Sequence, residues 1–235
     1  MRRIPMTYDL HIHSCLSPCG DNEMTVNNIV NMAVLKELDV IALTDHNSSK
    51  NCPAFMEAAR RAGIRAIPGM EINTSEEVHA VCLFPTLEAA MDFDSYVFST
   101  MAPVKNRPEI FGEQIILNAE DEPVGTVDTL LIAASGVSYS ELPDLMKTYG
   151  GIFFPSHIDR SSNSLIAIMG GVPEDVDFSF YEVYHVGLFD SLLEANPQLA
   201  GKPWLHDSDA HYLWDIAEPD RQLDERIAKM LQGYG

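Results

Sequence analysis

The stretch Tyr8-Asp9-Leu10-His11-Ile12-His13-Ser14 decides how this chain is read. Residues 7–10 have the pattern of a short strand, and His11 and His13 leave its end side by side, because residues two apart on a strand share a face. Two imidazoles on one rigid edge are a ready ligand pair for a divalent transition metal. The alternative is two loop histidines, each satisfied by a backbone hydrogen bond; the rest of the chain weighs against it.

Working outward, a polar loop punctuated by Pro18 and Gly20 precedes a helix with Thr25 as N-cap, in which Val26, Ile29, Val30, Ala33 and Val34 form one apolar face. Val40-Ile41-Ala42-Leu43 is wholly apolar, as a parallel strand covered on both faces requires, and it ends in Thr44-Asp45-His46. Asn51 and Pro53 suit the start of a helix that runs to about Ala62 and stops at Gly63. Residues 64–67 read as a third strand, followed by Pro68-Gly69-Met70-Glu71, and residues 78–84, carrying His79, as a fourth. Strands and helices alternating at this spacing predict βαβ units and a parallel sheet. Working groups of such sheets collect at the carboxyl ends of the strands, where His11, His46 and Glu71 all fall.

Farther along, residues 87 to about 99 read as a helix, Pro103, Asn106 and Pro108 as an extended connection, and residues 114–118 with 123–127 as a hairpin. Residues 96–150 are expected to be an irregular elaboration of one domain spanning 1–235, since their composition does not shift towards that of a linker. Ser138 and Glu141 form a capping box for a helix ending at Gly150-Gly151. Ile152-Phe153-Phe154-Pro155 is a buried strand terminating in Ser156-His157-Ile158-Asp159-Arg160. Residues 180–184 form a strand ending at His185, Lys202-Pro203-Trp204-Leu205 leads into His206-Asp207-Ser208-Asp209-Ala210-His211, and residues 223–231 close the chain as an amphipathic helix.

At 235 residues and 46% hydrophobic content, the chain can bury one large core. Its 15 basic against 35 acidic residues give a formal net charge of −20. A field of that sign repels polyanions, which makes nucleic acid or an anionic membrane an unlikely main partner. No apolar run reaches the length of a membrane span, and Asp9 and His11 arrive before any hydrophobic stretch a signal peptide needs. Four scattered cysteines (15, 19, 52 and 82) fit a reduced, cytoplasmic protein better than a secreted disulfide scaffold.

Most of the eight histidines sit near predicted strand ends beside Asp or Glu. Asp209-x-His211 repeats the same-face logic of His11-x-His13, and Glu71 could bridge two cations. A mixed imidazole and carboxylate set suits Zn²⁺, Mn²⁺ or Fe²⁺, and its size fits two or three metals. The ordered motifs Asp-Leu-His-Ile-His-Ser (9–14), Thr-Asp-His (44–46), Gly-Met-Glu (69–71), His79, Ser-His-Ile-Asp-Arg (156–160) and Ser-Asp-Ala-His (208–211) resemble the polymerase and histidinol phosphatase (PHP) domain superfamily. That resemblance implies an α/β fold, a distorted (βα)₇ TIM-like barrel, with a metal site at its carboxyl rim. It places His11, His13, Glu71 and Asp209 on a first metal, Glu71, His79 and His157 on a second, and His46 and His211 on a third. For the last ligand of that third site this chain offers Cys19 where relatives carry a His, with Asp21 two residues on. His185 and His206 match no ligand motif.

Asp45 is expected to orient a ligand or a bound water, and Arg160 to hold a phosphate oxygen, for which guanidinium geometry is suited. The function expected is that of a metal-dependent phosphoesterase acting through a metal-activated hydroxide on a small phosphorylated metabolite or nucleotide. The alternatives are a 3′–5′ exonuclease-type PHP nuclease and a non-catalytic metal-binding regulatory domain.

Overall fold

The computed structural model describes residues 6–173 and 177–235; the basic start at residues 1–5, part of the reading on a signal peptide, lies outside the described residues. In chain order the first half contains β1 (Tyr8–Ile12), α1 (Val26–Leu35), β2 (Val40–Leu43), α2 (Cys52–Ala62), β3 (Arg65–Asn73), β4 (His79–Leu83) and α3 (Leu87–Thr100). The short α4 (Pro108–Phe111), β5 (Ile115–Leu117) and β6 (Pro123–Thr126) follow, then α5 (Leu142–Tyr149), β7 (Ile152–Pro155) and α6 (Leu165–Met169). β8 (Tyr181–Glu182), α7 (Phe189–Ala195), β9 (Trp204–Leu205) and α8 (Glu225–Met230) complete the chain.

The main sheet is a curled half-barrel of five strands in the order β1-β2-β3-β4-β7. β1–β2 and β2–β3 are parallel, as the βαβ spacing predicts. β3–β4 and β4–β7 are antiparallel, which corrects the expectation of a wholly parallel sheet. The cause is the connection. Only residues 74–78 separate β3 from β4, whereas a parallel return needs a crossover of about a dozen residues or more. His79 therefore reaches the rim from the amino end of its strand. β3 is also longer than expected, so Glu71 lies within it, paired with Val81, rather than beyond its end. At Gly69 an added Cβ would lie 2.8 Å from the Cys82 carbonyl oxygen, so the close approach of β3 and β4 excludes a side chain there.

Beyond β7 the curl continues through single contacts rather than a full ladder. The Ile158 N–H donates to the Glu182 carbonyl (2.9 Å), β8 pairs in parallel with β9, and the His13 N–H donates to the Ala210 carbonyl (3.0 Å). β8 and β9 are two residues each, too short to extend the five-stranded sheet.

Three buried clusters hold the layers. Ile12, Ile41 and Leu43 pack outward on Val26, Ile29 and Phe55 of α1 and α2. Leu10, Ala42, Ile67, Val81 and Phe154 fill the concave side, which Leu223, Ile227 and Leu231 around α8 plug. Ile72, Cys82 and Phe153 pack against Phe93 of α3 and Leu142 and Met146 of α5. Thr25 caps α1 through the Asn28 N–H, and Gly63 ends α2 in the left-handed region (φ 76°). Asn51 does not cap α2. Its amide instead donates to Ser14 Oγ (2.9 Å) and the Ile115 carbonyl (3.1 Å) and accepts from the Leu117 N–H (2.9 Å), stitching the β5–β6 hairpin to the loop after β1. Among the described residues no helix is long and apolar enough to cross a membrane, and all four cysteines are free.

Candidate metal centre

β1 delivers His11 and His13 to the rim, both fully buried. A second residue decides how each ring presents itself. His11 Nδ1 lies 2.8 Å from Glu182 Oε2, and His13 Nδ1 lies 2.9 Å from Ser17 Oγ. Ser17 gives its own proton to Asp45 Oδ1 (2.7 Å), so it accepts from His13 Nδ1–H. Both Nδ1 protons are thereby committed, and the two Nε2 atoms turn to one point 3.1 Å apart. Glu71 approaches the pair at 3.3 and 3.5 Å and Asp209 Oδ1 at 3.4 and 3.2 Å. Two ring nitrogens with spare lone pairs and two carboxylates repel unless a positive charge sits among them. The spacings among His11 Nε2, His13 Nε2 and Asp209 Oδ1, 3.1 to 3.4 Å, match the edges, roughly 3.3 Å, of one face of a tetrahedron with zinc-like bonds of about 2.0–2.1 Å, while Glu71 meets His11 through Oε1 and His13 through Oε2. The four residues fit a divalent cation.

Two further groups of donors converge within 4.8 Å: His46 with Glu71 and His79, and His13 with His46 and His211. His46 Nδ1 and His79 Nδ1 lie 2.9 and 3.2 Å from the Glu71 oxygens, and His157 Nε2 lies 3.2 Å away. Both Glu71 oxygens, His46 Nδ1, His79 Nε2 and His157 Nδ1 are buried without a hydrogen-bond partner. Buried polar atoms are rarely left so, and this concentration of electron-pair donors again fits cations. The grouping differs from the sequence partition in two respects: His46, rather than His157, stands with Glu71 and His79, and His13, rather than Cys19, stands with His46 and His211. His211 Nδ1 lies 2.7 Å from the Asp209 carbonyl, which frees its Nε2.

Protonation follows the same geometry. Burial lowers the His11 pKa, but Glu182, Glu71 and Asp209 outweigh it and hold the ring well above the usual histidine value. Burial, with His211 and His46 nearby, drives His13 well below it, and burial brings His46 down to about 4. Burial opposes ionisation of Glu71, yet His79, His11 and His46 keep it well below the usual carboxylate range. His157 is raised because Glu71 overcomes its burial. His157 (φ 27°), Asp209 (φ 51°) and Asn47 (φ 47°) all hold left-handed backbone. Such strain costs about 1–3 kcal/mol each and gathers at working sites.

Asp45 stands behind His13 rather than among the converging donors. Its oxygens accept the Ser14 N–H, the Ser14 hydroxyl and the Ser17 hydroxyl, each at 2.7 Å, so it positions His13 through Ser17. Arg160 Nη1 bonds Asp209 Oδ2 (2.6 Å), and its guanidinium lies 4.2 Å from the centre of the Tyr184 ring. Cys19 is exposed on the loop after His13 and, among the described residues, belongs to none of the converging groups. Asp21 Oδ1 is occupied by the Glu23 N–H (2.8 Å). His185 and His206 join no converging group either; His185 lies beside Asp159 (3.2 Å).

Glu182, Ser17 and Asp207 escaped the sequence reading. Glu182 had one signal: it is the lone acid in the apolar run Phe178-Ser179-Phe180-Tyr181-Glu182-Val183. Asp207, buried beside Glu182 and Asp9, is held well above the usual carboxylate range by burial and by those two charges, while its Oδ1 accepts the Leu10 N–H (2.7 Å).

Three likenesses accompany this geometry. Over 76 residues the chain is 37% identical to the 5′-3′ exoribonuclease Rnm of Salmonella typhimurium, a match that spans 32% of this chain and only 25% of that protein. It superposes on a proposed metal-dependent phosphoesterase from Bifidobacterium adolescentis with a TM-score of 0.64 at 17% identity, covering 99% and 98% of the two chains. It superposes on the lesion-specific endonuclease PfuEndoQ from Pyrococcus furiosus with a TM-score of 0.58 at 19% identity, over 93% of this chain and 50% of that one. At these identities the structural likenesses establish the fold. The sequence profile of the PHP domain matches residues 9–157, from the Asp that opens the first motif to the His of the fifth. This chain therefore belongs to the PHP domain family, a family of metal-dependent hydrolases.

Proposed function

We propose that this protein is a phosphoesterase for a small phosphorylated metabolite or nucleotide, working with two or three Zn²⁺, Mn²⁺ or Fe²⁺ ions. One observation carries the reading: His11 Nε2 and His13 Nε2, each with its other nitrogen committed, face each other at 3.1 Å between Glu71 and Asp209. His11, His13, Glu71 and Asp209 would hold one ion; Glu71 with His79 and His46 or His157 a second; His46 and His211 a third. His13 has a single free nitrogen, so if it serves the first ion the third needs another donor, and Cys19 is the candidate. Bound divalent cations make a coordinated water acidic near neutral pH and offset charge on phosphoryl oxygens.

The protein's own groups do the rest. Arg160, held by Asp209 and Tyr184, is poised to take a phosphoryl oxygen. Glu182 and the Asp45–Ser17 pair keep His11 and His13 in the tautomer that presents Nε2. The fold is read as a distorted (βα)₇ barrel forming one domain, with residues 96–150 flanking the rim. The free cysteines suit a reducing, cytoplasmic setting.

The second reading is a nuclease, favoured by the exoribonuclease and endonuclease among the similar proteins. Net charge does not decide between them. A diffuse field is screened within about 8 Å at physiological salt, whereas Arg160 and bound cations act at contact. Phosphate release from p-nitrophenyl phosphate and nucleoside monophosphates, and shortening of a labelled oligonucleotide, would be measured with added Mn²⁺ or Zn²⁺. Activity unchanged in the double variant H11A/E71Q would refute the site; degradation of the oligonucleotide alone would select the nuclease.

A further inference from the structure

A half-open groove of about 520 Å³ lies between α7, the turn at residues 197–204 and the segment leading into α8. Tyr8, Tyr181 and Trp204, the first residues of β1, β8 and β9, form part of its wall. It exists because no α-helix follows β9 until Glu225, so the flank of that strand is left uncovered. None of the residues proposed to hold metal, and neither Asp45 nor Arg160, lines it.

We infer that this groove is a binding site for an aromatic anion, a planar ring bearing a carboxylate or a phosphate. In a chain with 35 acidic and 15 basic residues, three cations (Lys202, Arg221 and Arg226) converge here against one carboxylate, Asp224. Two of the three are already engaged. Lys202 pairs with Asp177 (2.9 Å), and Arg226 is gripped by Asp224 (2.9 and 3.0 Å) and the Gly201 carbonyl (2.8 Å). Arg221 makes no salt bridge among the described residues; it donates from one nitrogen to the His206 carbonyl (2.7 Å), leaving the rest of its fork uncommitted.

Among the described residues the hydroxyl of Tyr181, a fully buried residue, has no hydrogen-bond partner, and the Tyr8 hydroxyl accepts from the His206 N–H without itself donating. Burial pushes Tyr181 up to about 12 and raises Tyr8 as well, so both remain proton donors at neutral pH. The polar equipment is thus rich in donors and poor in acceptors, which selects an anion. Trp204 and Phe189, packed on each other with ring centres 4.7 Å apart and planes tilted by 31°, supply an apolar aromatic wall for the ring. The volume is within the range of small-molecule sites, about 300–1,000 Å³.

The test uses the full chain carrying W214F, so that Trp204 is the sole tryptophan, with chelator present so that no metal can hold the ligand. Trp204 fluorescence is titrated with 1-naphthoate, 1-naphthyl phosphate and the neutral 1-naphthalenemethanol. One or both anions should bind at least about tenfold more tightly than the alcohol, the scale of a charge-assisted pair, and the better of the two identifies the head group. R221Q should abolish the preference, and Y181F should weaken the anion about threefold, in protein shown to be folded by circular dichroism. Equal binding of anions and alcohol, or anion affinity unchanged in both variants, would overturn the assignment.

Discussion

Glu182 offers the most exacting test of the centre, because among the described residues its carboxylate hydrogen-bonds His11 alone and it belongs to none of the converging donor groups. In E182A the His11 Nδ1–H is buried with no acceptor, which costs about 1–3 kcal/mol. The ring can recover that loss by moving its proton to Nε2, and the nitrogen facing Glu71 and Asp209 then has no lone pair. Loss of a supporting acceptor behind a metal-binding histidine typically weakens metal affinity about 10–100-fold, or about 1.4–2.7 kcal/mol; the two scales agree. E182Q keeps an amide oxygen able to accept the same proton, so its loss should stay below about tenfold. Zinc affinity would be measured by competition with a chromophoric chelator on metal-stripped protein, with thermal melts to show that each variant is folded. An E182A affinity within about threefold of the parent, or E182Q as damaged as E182A, would refute the tautomer argument.

Zinc uptake in weakly buffered solution at pH 6 should release at least about one proton per protein, with His11 and His157 contributing, because their raised pKa values keep them protonated while His13 and His46 are already neutral. Apparent affinity should therefore rise with pH up to the His11 pKa, and release near zero by pH-stat would contradict this. R160Q should raise KM for a phosphomonoester about tenfold or more while costing zinc affinity less than about tenfold, since the Gln amide keeps an N–H for Asp209 Oδ2, read from steady-state kinetics and chelator competition. I227A should cost about 2–5 kcal/mol, because this fully buried side chain belongs to the plug of the concave side. Its Tm measured in chelator should fall by roughly 4–20 °C, and a fall below about 1 °C would place the plug outside the cooperative core.

The half of the fold built from β1, β2 and the first part of β3 was legible because each strand carries its own apolar signature and each helix its own stop. The turn to antiparallel pairing at β4 is also written in the sequence, since five residues cannot hold a crossover helix, and that length overrides the βαβ alternation. α6 and α7 were invisible, being one or two turns long. At the site, the donors could be found because His and Asp recur in ordered motifs. The residues that aim them could not. Glu182 lies 171 positions from His11, and Ser17 is an ordinary loop serine until Asp45 takes its proton. Asn51 misled for a similar reason: its local position says cap, while its amide serves a hairpin more than 60 residues away.

The way the C-terminal segment seals the curl has a consequence for how the molecule comes into being. Asp9 is satisfied by Ser208 and Ala217, and the Leu10 N–H by Asp207, across about 200 residues of chain. A nascent polypeptide leaving the ribosome presents its histidine pair about 200 residues before the partners that satisfy that edge are made. Until then β1 is an open border with a carboxylate beside it, and Asp209 and His211 are not yet there to complete the donor groups. A truncated product would thus lack both the seal and the chemistry, so an unfinished copy of this protein should be inert rather than partly active.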